Sequence, residues 1–148
     1  MNLISRKFKR LIKGWNKRPL TEADFYAICE AEGIVVIENG SCHMRWRGLY
    51  TVILDVPTII INANIKGLER LWTMFHELGH HFLHSPSTCF FSESTLHKTQ
   101  SEANAFAAIA LIPERHVKQR PLWELYELDE YAVKLFQIRI ELYEIYKV

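Results

Sequence analysis

The stretch HELGHHFLH, residues 76–84, constrains the fold of this chain more than any other segment. Four histidines and one glutamate stand within nine residues of a longer segment that otherwise predicts a helix. The apolar side chains of that segment recur at helical spacing, at Leu68, Leu71, Trp72, Phe75, Leu78 and Phe82. Two interpretations follow: a packed helix that happens to carry histidines, or a helix that holds a metal ion.

The spacing of the first two histidines favours a metal ion. His76 and His80 are four residues apart, so on a helix they share one face, with Cβ atoms about 5–6 Å apart. Two imidazoles at that separation can bind one tetrahedral Zn²⁺ at about 2.0–2.1 Å each. Glu77 would lie beside the open coordination position, where a carboxylate can accept a proton from water. We therefore predict a zinc site with His76 and His80 as ligands and Glu77 as general base.

The other polar and small residues of this helix are expected to support it. Gly79 costs the helix about 1 kcal/mol relative to alanine, which indicates that another element packs closely at that position. His81 is expected at the surface or beside the site. His84, one turn beyond His80, could line the site, but a structural role is expected.

The order of the predicted elements indicates the α+β class. Asn39 and Gly40 form the strongest short signal for a β-hairpin turn, so an antiparallel sheet is expected. The elements are, in order, a helix over 21–33, β structure over 34–39, 41–55 and 58–65, the histidine-rich helix, a loop over 85–98, an alanine-rich helix over 99–113 and further helices. We predict a small antiparallel sheet packed with the HExxH helix and the further helices.

Positive charge is concentrated at the amino-terminal end of the chain. The first 21 residues carry seven Lys or Arg and no acid, which leaves 11 basic and 17 acidic residues elsewhere. Apolar residues recur among these cations at helical spacing, so a basic amphipathic helix is predicted over residues 1–20. Either its apolar stripe docks on the core, or the segment contacts nucleic acid, anionic lipid or an acidic protein. A nucleic-acid partner has only weak support.

The cysteines and the hydropathy predict a cytoplasmic protein. Cys29, Cys42 and Cys89 are odd in number and form no CxxC pair, so no disulfide framework is expected. No apolar run reaches the roughly 18–20 residues that a membrane-spanning helix needs. We therefore expect no membrane insertion.

Two motifs in succession resemble one known family. HELGHHFLH, followed about twenty residues later by SEANAFAAIALIP, resembles the ImmA/IrrE family of zinc-dependent metallopeptidases. TIIINAN, residues 58–64, is similar to the family's strand with its Asn-containing turn, and IRIELYE, residues 138–144, to its Arg-containing last helix. The resemblance covers roughly residues 21–146, so we divide the chain into the basic helix, 1–20, and a metallopeptidase-like domain, 21–148.

The resemblance implies a zincin-like fold and a specific chemistry. His76 and His80 match the family's zinc ligands, Glu77 matches its catalytic base, and a glutamate from the next helix is the third ligand. Family members inactivate helix-turn-helix repressors by cleavage, and others act as toxin–antitoxin components. The implied partner is a protein substrate, a separate repressor-like chain.

The third ligand does not match directly. The family's ligand glutamate often lies four residues before the Asn of the second motif, and Gln100 stands there in this chain. The nearest carboxylate belongs to Glu102, and two residues along a helix turn the side chain by about 200°, so both cannot face one metal. We predict Glu102 as the third ligand. Completion of the site by Glu93 or His97, or a weakened site, remains open.

Two functions from different classes are compatible with these residues. The first is a zinc-dependent endopeptidase that cleaves a helix-turn-helix repressor or another regulatory protein. The second is a non-catalytic binding protein of the same fold, acting through protein or nucleic-acid contacts. Gln100 favours the second, whereas Glu77 favours the first, because a purely structural zinc site needs no base.

Overall fold

A computed structural model describes residues 2–40, 46–84, 93–119 and 130–148 of the chain, and for residues 2–5 and 93–97 it describes the backbone alone. Its elements are α1 (Asn2–Leu11), α2 (Glu22–Glu32), β1 (Val35–Asn39), β2 (Gly48–Ile53), β3 (Val56–Asn62), α3 (Gly67–Leu83), α4 (Glu93–Leu111), α5 (Glu114–Lys118) and α6 (Glu130–Tyr146). A small sheet combined with several helices confirms the α+β class.

The chain divides into two compact units. The first comprises residues 22–107, which include the sheet, α3 and most of α4. The second comprises residues 1–21 and 108–148. The division into a basic helix and a metallopeptidase-like domain, drawn from the sequence near residue 20, stays a prediction.

The sheet has the order β1-β3-β2 and is mixed. β2 and β3 form an antiparallel hairpin, and its turn residues Leu54 and Asp55 have φ values of 48° and 64°, as a type I′ turn requires. β1 pairs with β3 in parallel. The hairpin predicted at Asn39 and Gly40 is therefore wrong, and the sheet is not wholly antiparallel. The isoleucine-rich β3 takes the centre, where Ile59 and Ile61 are completely buried.

Helix α3 covers one face of this sheet. Its residues Met74, Phe75 and Leu78 are fully buried, and Phe75 and Leu78 belong to the predicted apolar stripe. At the amino-terminal end of α3, the Arg70 guanidinium pairs with Glu22 at 3.0 Å and also contacts the Glu38 carboxylate. These contacts orient α3 against α2 and β1, although such partly exposed ion pairs add little stability.

Helices α3 and α4 approach closely at Gly79. A Cβ atom on Gly79 would lie 3.1 Å from the Phe106 Cβ and 3.2 Å from the Ala103 Cα. On α4, Ala103 and Phe106 are buried, and the Phe106 ring stacks on Phe82 with centroids 5.8 Å apart. The packing reason expected for Gly79 is thus present, and it sets which residues of α4 face the histidines of α3.

In the second unit, the apolar side of the basic segment is buried. Phe8 and Trp15 are each 1% exposed, with ring centroids 5.3 Å apart. Helix α1 ends at Leu11, and Gly14, with φ +84°, lies in the turn that follows, so the helix is shorter than the predicted 1–20. Arg139 is completely buried, and its guanidinium donates to the Ile112 carbonyl at 2.6 Å, as well as to Asn16 and Val148.

Among the described residues, no helix has both the length and the apolar character needed to cross a bilayer.

The close contact at Gly79 yields a stability prediction. Gly79→Ala should lower the free energy of unfolding by about 1–3 kcal/mol, because a methyl group would press on the α4 backbone, despite the better helix propensity of alanine. Gly40→Ala is the control, since among the described residues its added Cβ would meet only the Ala63 Cβ, at 3.9 Å. Urea unfolding of both variants measures the difference. A Gly79→Ala protein as stable as the parent would show that α4 is not packed this closely.

Candidate metal centre

The two spaced histidines of α3 converge on one point. The Nε2 atoms of His76 and His80 lie 3.2 Å apart, and their rings meet edge to face. Two ligands of a tetrahedral zinc ion at about 2.0–2.1 Å lie about 3.3 Å from each other. The two imidazoles therefore fit one zinc ion with little movement.

Burial favours the neutral form of both imidazoles, which is the form that binds metals. Burial lowers the pKa of His80 to about 4, and the neighbouring His76 and His84 lower it further. Burial also lowers the pKa of His76, against the opposing effect of hydrogen bonds with Gln100 and Asn104. Because metal ligation requires a neutral imidazole, neither side chain has to lose a proton at neutral pH.

Glu77 lies beside this pair and is 8% exposed. Burial raises the pKa of Glu77 to about 7, although a hydrogen bond from the Tyr50 backbone opposes the shift. A carboxylate with a pKa near the operating pH is suited to general base catalysis. The side chain of Glu77 lines the same cavity as His76, about 450 Å³ in volume.

Gly48, the first residue of β2, makes room for Glu77. A Cβ atom on Gly48 would lie 3.3 Å from the Glu77 Cγ and only 2.6 Å from the Thr73 Cγ2. Gly48 also lines the cavity. Gly48 is therefore the start of an edge strand that borders the site.

Helix α4 contributes Gln100 to the histidine pair. The Gln100 Oε1 lies 2.7 Å from the His76 Nε2, and the same side chain opposes the lowering of the His80 pKa. Asn104, one turn further along α4, lines the cavity beside it. The amide oxygen of Gln100 thus lies where a third protein ligand would, although a neutral amide is a weaker zinc ligand than a carboxylate.

Glu102, the third ligand predicted from the sequence, lies elsewhere. Its Oε2 is 3.2 Å from the Nε2 of His84, one turn beyond His80. Helix α4 begins at Glu93, seven residues before Gln100, so Gln100 and Glu102 point about 200° apart. The structure therefore brings Gln100, and not Glu102, to His76. The side chains of Glu93 and His97 lie outside the described residues.

In the described part of the chain, no three His, Cys, Asp or Glu side chains form a group that could hold a metal ion. Gln100 explains this result, because the third side chain at the histidine pair is an amide. Sequence reasoning assigned no role to Asn104. Its position four residues after Gln100 could have indicated one, since side chains at that spacing share a helix face.

His81 faces away from this pair. Its Nδ1 lies 2.9 Å from the Tyr50 hydroxyl, and its Nε2 lies 3.4 Å from a carboxylate oxygen of Glu32. The side chain is 17% exposed. His81 thus links α3 to β2 and α2.

This α+β chain has an HExxH helix, a converging imidazole pair and a buried glutamate. These features place it in the class of HExxH domains. The sequence model of the Peptidase M78 family, described as the IrrE N-terminal-like domain, matches residues 29–143. The chain therefore belongs to this family, and the resemblance to ImmA/IrrE proteins is confirmed. Membership assigns it to a family of peptidases.

One similar protein is "Uncharacterized immunity region protein 2" of Bacillus phage phi105. It is 34% identical to this chain over 135 residues, which cover 88% of this chain and 81% of the phage protein. No solved structure matches the chain significantly.

The position of Gln100 yields a prediction for metal affinity. Gln100→Glu should bind zinc at least about tenfold more tightly, which is about 1.4 kcal/mol, because a charged carboxylate replaces a neutral amide. Gln100→Ala should bind more weakly than the parent. Competition with a fluorescent zinc chelator measures both, and Ser101→Ala, an exposed neighbour on α4, is the control. Equal zinc affinity in all four proteins would exclude residue 100 from the site.

Proposed function

We propose that this chain is a zinc-dependent endopeptidase that cleaves a regulatory protein, with a helix-turn-helix repressor as the substrate class. The observation that carries this proposal is the 3.2 Å approach of the His76 and His80 Nε2 atoms beside the buried Glu77. Membership of a peptidase family supports the proposal independently.

Each site residue has a defined part in hydrolysis. A zinc ion held by His76 and His80 would supply Lewis-acid polarisation of the scissile carbonyl and of a water molecule. Glu77 accepts a proton from the attacking water on its carboxylate and donates it to the leaving amine. Burial keeps both imidazoles neutral and brings the pKa of Glu77 to about 7, so the base can both accept and release a proton.

The sheet offers a binding surface for an extended substrate. β2 lies at an edge of the sheet, and its first residue, Gly48, lines the same cavity as His76 and Glu77. An extended peptide can pair with such an edge as an added strand. Pairing there would present a backbone carbonyl to the site without selecting a side chain, so sequence preference would come from the walls of the cavity.

A regulatory substrate is supported by the phage relative. The name of that protein places it in an immunity region. Because this family of peptidases has a member named for such a region, we infer that the substrate of this chain is a repressor. We place the protein in the cytoplasm, where a DNA-bound repressor would be accessible, as the odd number of cysteines and the lack of a CxxC pair in the sequence also favour.

A second candidate function is a binding protein that uses this fold without catalysis. The presence of an amide at the third ligand position favours it, because Gln100 would weaken metal binding. The two functions differ in their dependence on Glu77, since only hydrolysis requires a base.

A substitution of Glu77 therefore decides between the two functions. Glu77→Gln keeps the shape of the side chain, so we expect normal folding and zinc binding, while cleavage falls about 10²–10⁴-fold. The parent and the variant are expressed at matched levels in cells, and new protein amino termini are identified by mass spectrometry. In cells that express the parent, we expect a small set of new termini, including one in a helix-turn-helix repressor. We expect none of them in cells that express the variant.

His80→Ala is the companion variant, and it should lose both zinc and cleavage. Identical sets of protein termini from the parent and from a folded, zinc-loaded Glu77→Gln variant would contradict the peptidase and favour the binding protein.

A further inference from the structure

We infer that His84 and Glu102 are positioning residues that fix the tautomer of His80, so that its Nε2 presents a lone pair to the metal. This inference rests on the proposed zinc site and concerns a part of it that the ligand spacing alone does not assign. It gives a role to Glu102, which the structure places one turn away from the ligand pair.

Three side chains, those of His80, His84 and Glu102, form a continuous line that leads away from the proposed metal position. The Nδ1 atoms of His80 and His84 lie 3.0 Å apart. On the far side of the His84 ring, Nε2 lies 3.2 Å from the Oε2 of Glu102. The His84 side chain is 12% exposed and that of Glu102 is 30% exposed, so the line runs from the buried site towards solvent.

With a neutral His84 and an ionised Glu102, one arrangement of protons satisfies this line. A carboxylate can only accept hydrogen bonds, so the His84 Nε2 carries the proton that it donates to Glu102. A neutral imidazole then has a lone pair on Nδ1, which accepts a hydrogen bond from the His80 Nδ1. With its proton on Nδ1, His80 has its lone pair on Nε2, the atom that lies 3.2 Å from the His76 Nε2.

The two proposed ligands differ in the hydrogen bonding of their Nδ1 atoms. The Nδ1 of His76 has no hydrogen-bond partner in the described part of the chain, whereas the Nδ1 of His80 has His84. A metal-ligating histidine usually donates its second N–H to a carboxylate or carbonyl, which orients the ring. Here His84 extends that link from His80 to Glu102 by one imidazole.

The same line of side chains gives a role to His84, the last residue of HELGHHFLH. His84 is the C-cap residue of α3, with φ −125° and ψ 120°, and its backbone N–H donates to the His80 carbonyl at 3.0 Å. This departure from the helix still leaves the two Nδ1 atoms in contact. The structural role expected for His84 therefore acts on a metal ligand.

The test uses the full-length chain prepared without metal. Long-range ¹H–¹⁵N NMR spectra report which nitrogen of each imidazole carries the proton. We expect His80 with its proton on Nδ1 in the parent, and a mixture or the opposite tautomer in His84→Phe, which keeps an aromatic ring but has no nitrogen. Glu102→Ala, at a more exposed position, should shift the tautomer in the same direction and serves if His84→Phe does not fold.

Zinc affinity is the second readout. Loss of such a supporting partner typically weakens metal binding about 10–100-fold, and we expect this range for both variants. Lys98→Ala is the matched control, because Lys98 is 77% exposed and its Nζ lies 4.0 Å from the Glu102 Oε1. It should bind zinc as the parent does.

The outcomes separate this inference from the proposed function. A proton on the Nε2 of His80 in the parent, or an unchanged tautomer and unchanged zinc affinity in both variants, would overturn the inference and leave the zinc site intact. A parent protein that binds no zinc through His80 would instead overturn the proposed function. The tautomer of His80 is measured in the metal-free protein, so this readout requires neither zinc nor a substrate.

Discussion

The close contact between α3 and α4 at Gly79 determines which chemical groups meet in this protein. With no side chain at that position, the backbone of Ala103 lies within 3.2 Å of where a Cβ would be. This contact fixes the register of α4 against α3, so that Gln100 faces His76 and Glu102 faces His84. A different register of α4 would place other side chains beside His76 and His84. The nature of the site therefore depends on helix packing as much as on HExxH.

Burial then gives these groups their chemical properties. The same apolar surroundings act in opposite directions on bases and acids, because burial penalises the charged form of each. The pKa of His80 falls to about 4 and that of Glu77 rises to about 7. One helix thus carries imidazoles that are neutral at neutral pH and a carboxyl group that can exchange a proton there. Both properties suit hydrolysis, and they arise from the packing of α3 on β2 and β3.

The α3 helix, its buried face and the HExxH spacing were predictable because each is encoded locally, in residues three or four apart. The pairing of β1 was not, because the Asn39-Gly40 signal acts locally, whereas the burial of Ile59 and Ile61 decides which strand is central. The place of Glu102 was not predictable either, because it depends on where α4 begins. That start, at Glu93, falls within a segment whose composition predicts a loop. Element boundaries are weakly encoded, and this boundary acts together with the packing at Gly79 to set the third group at the site.

The central claim is that His76 and His80 hold one zinc ion together with an oxygen ligand. Zinc K-edge X-ray absorption on the full-length protein, loaded with one equivalent of zinc, tests this claim directly. We expect only nitrogen and oxygen neighbours at about 2.0–2.1 Å, with the multiple scattering of two imidazoles. A sulfur neighbour at about 2.3 Å, or scattering from fewer or more than two imidazoles, would contradict the account.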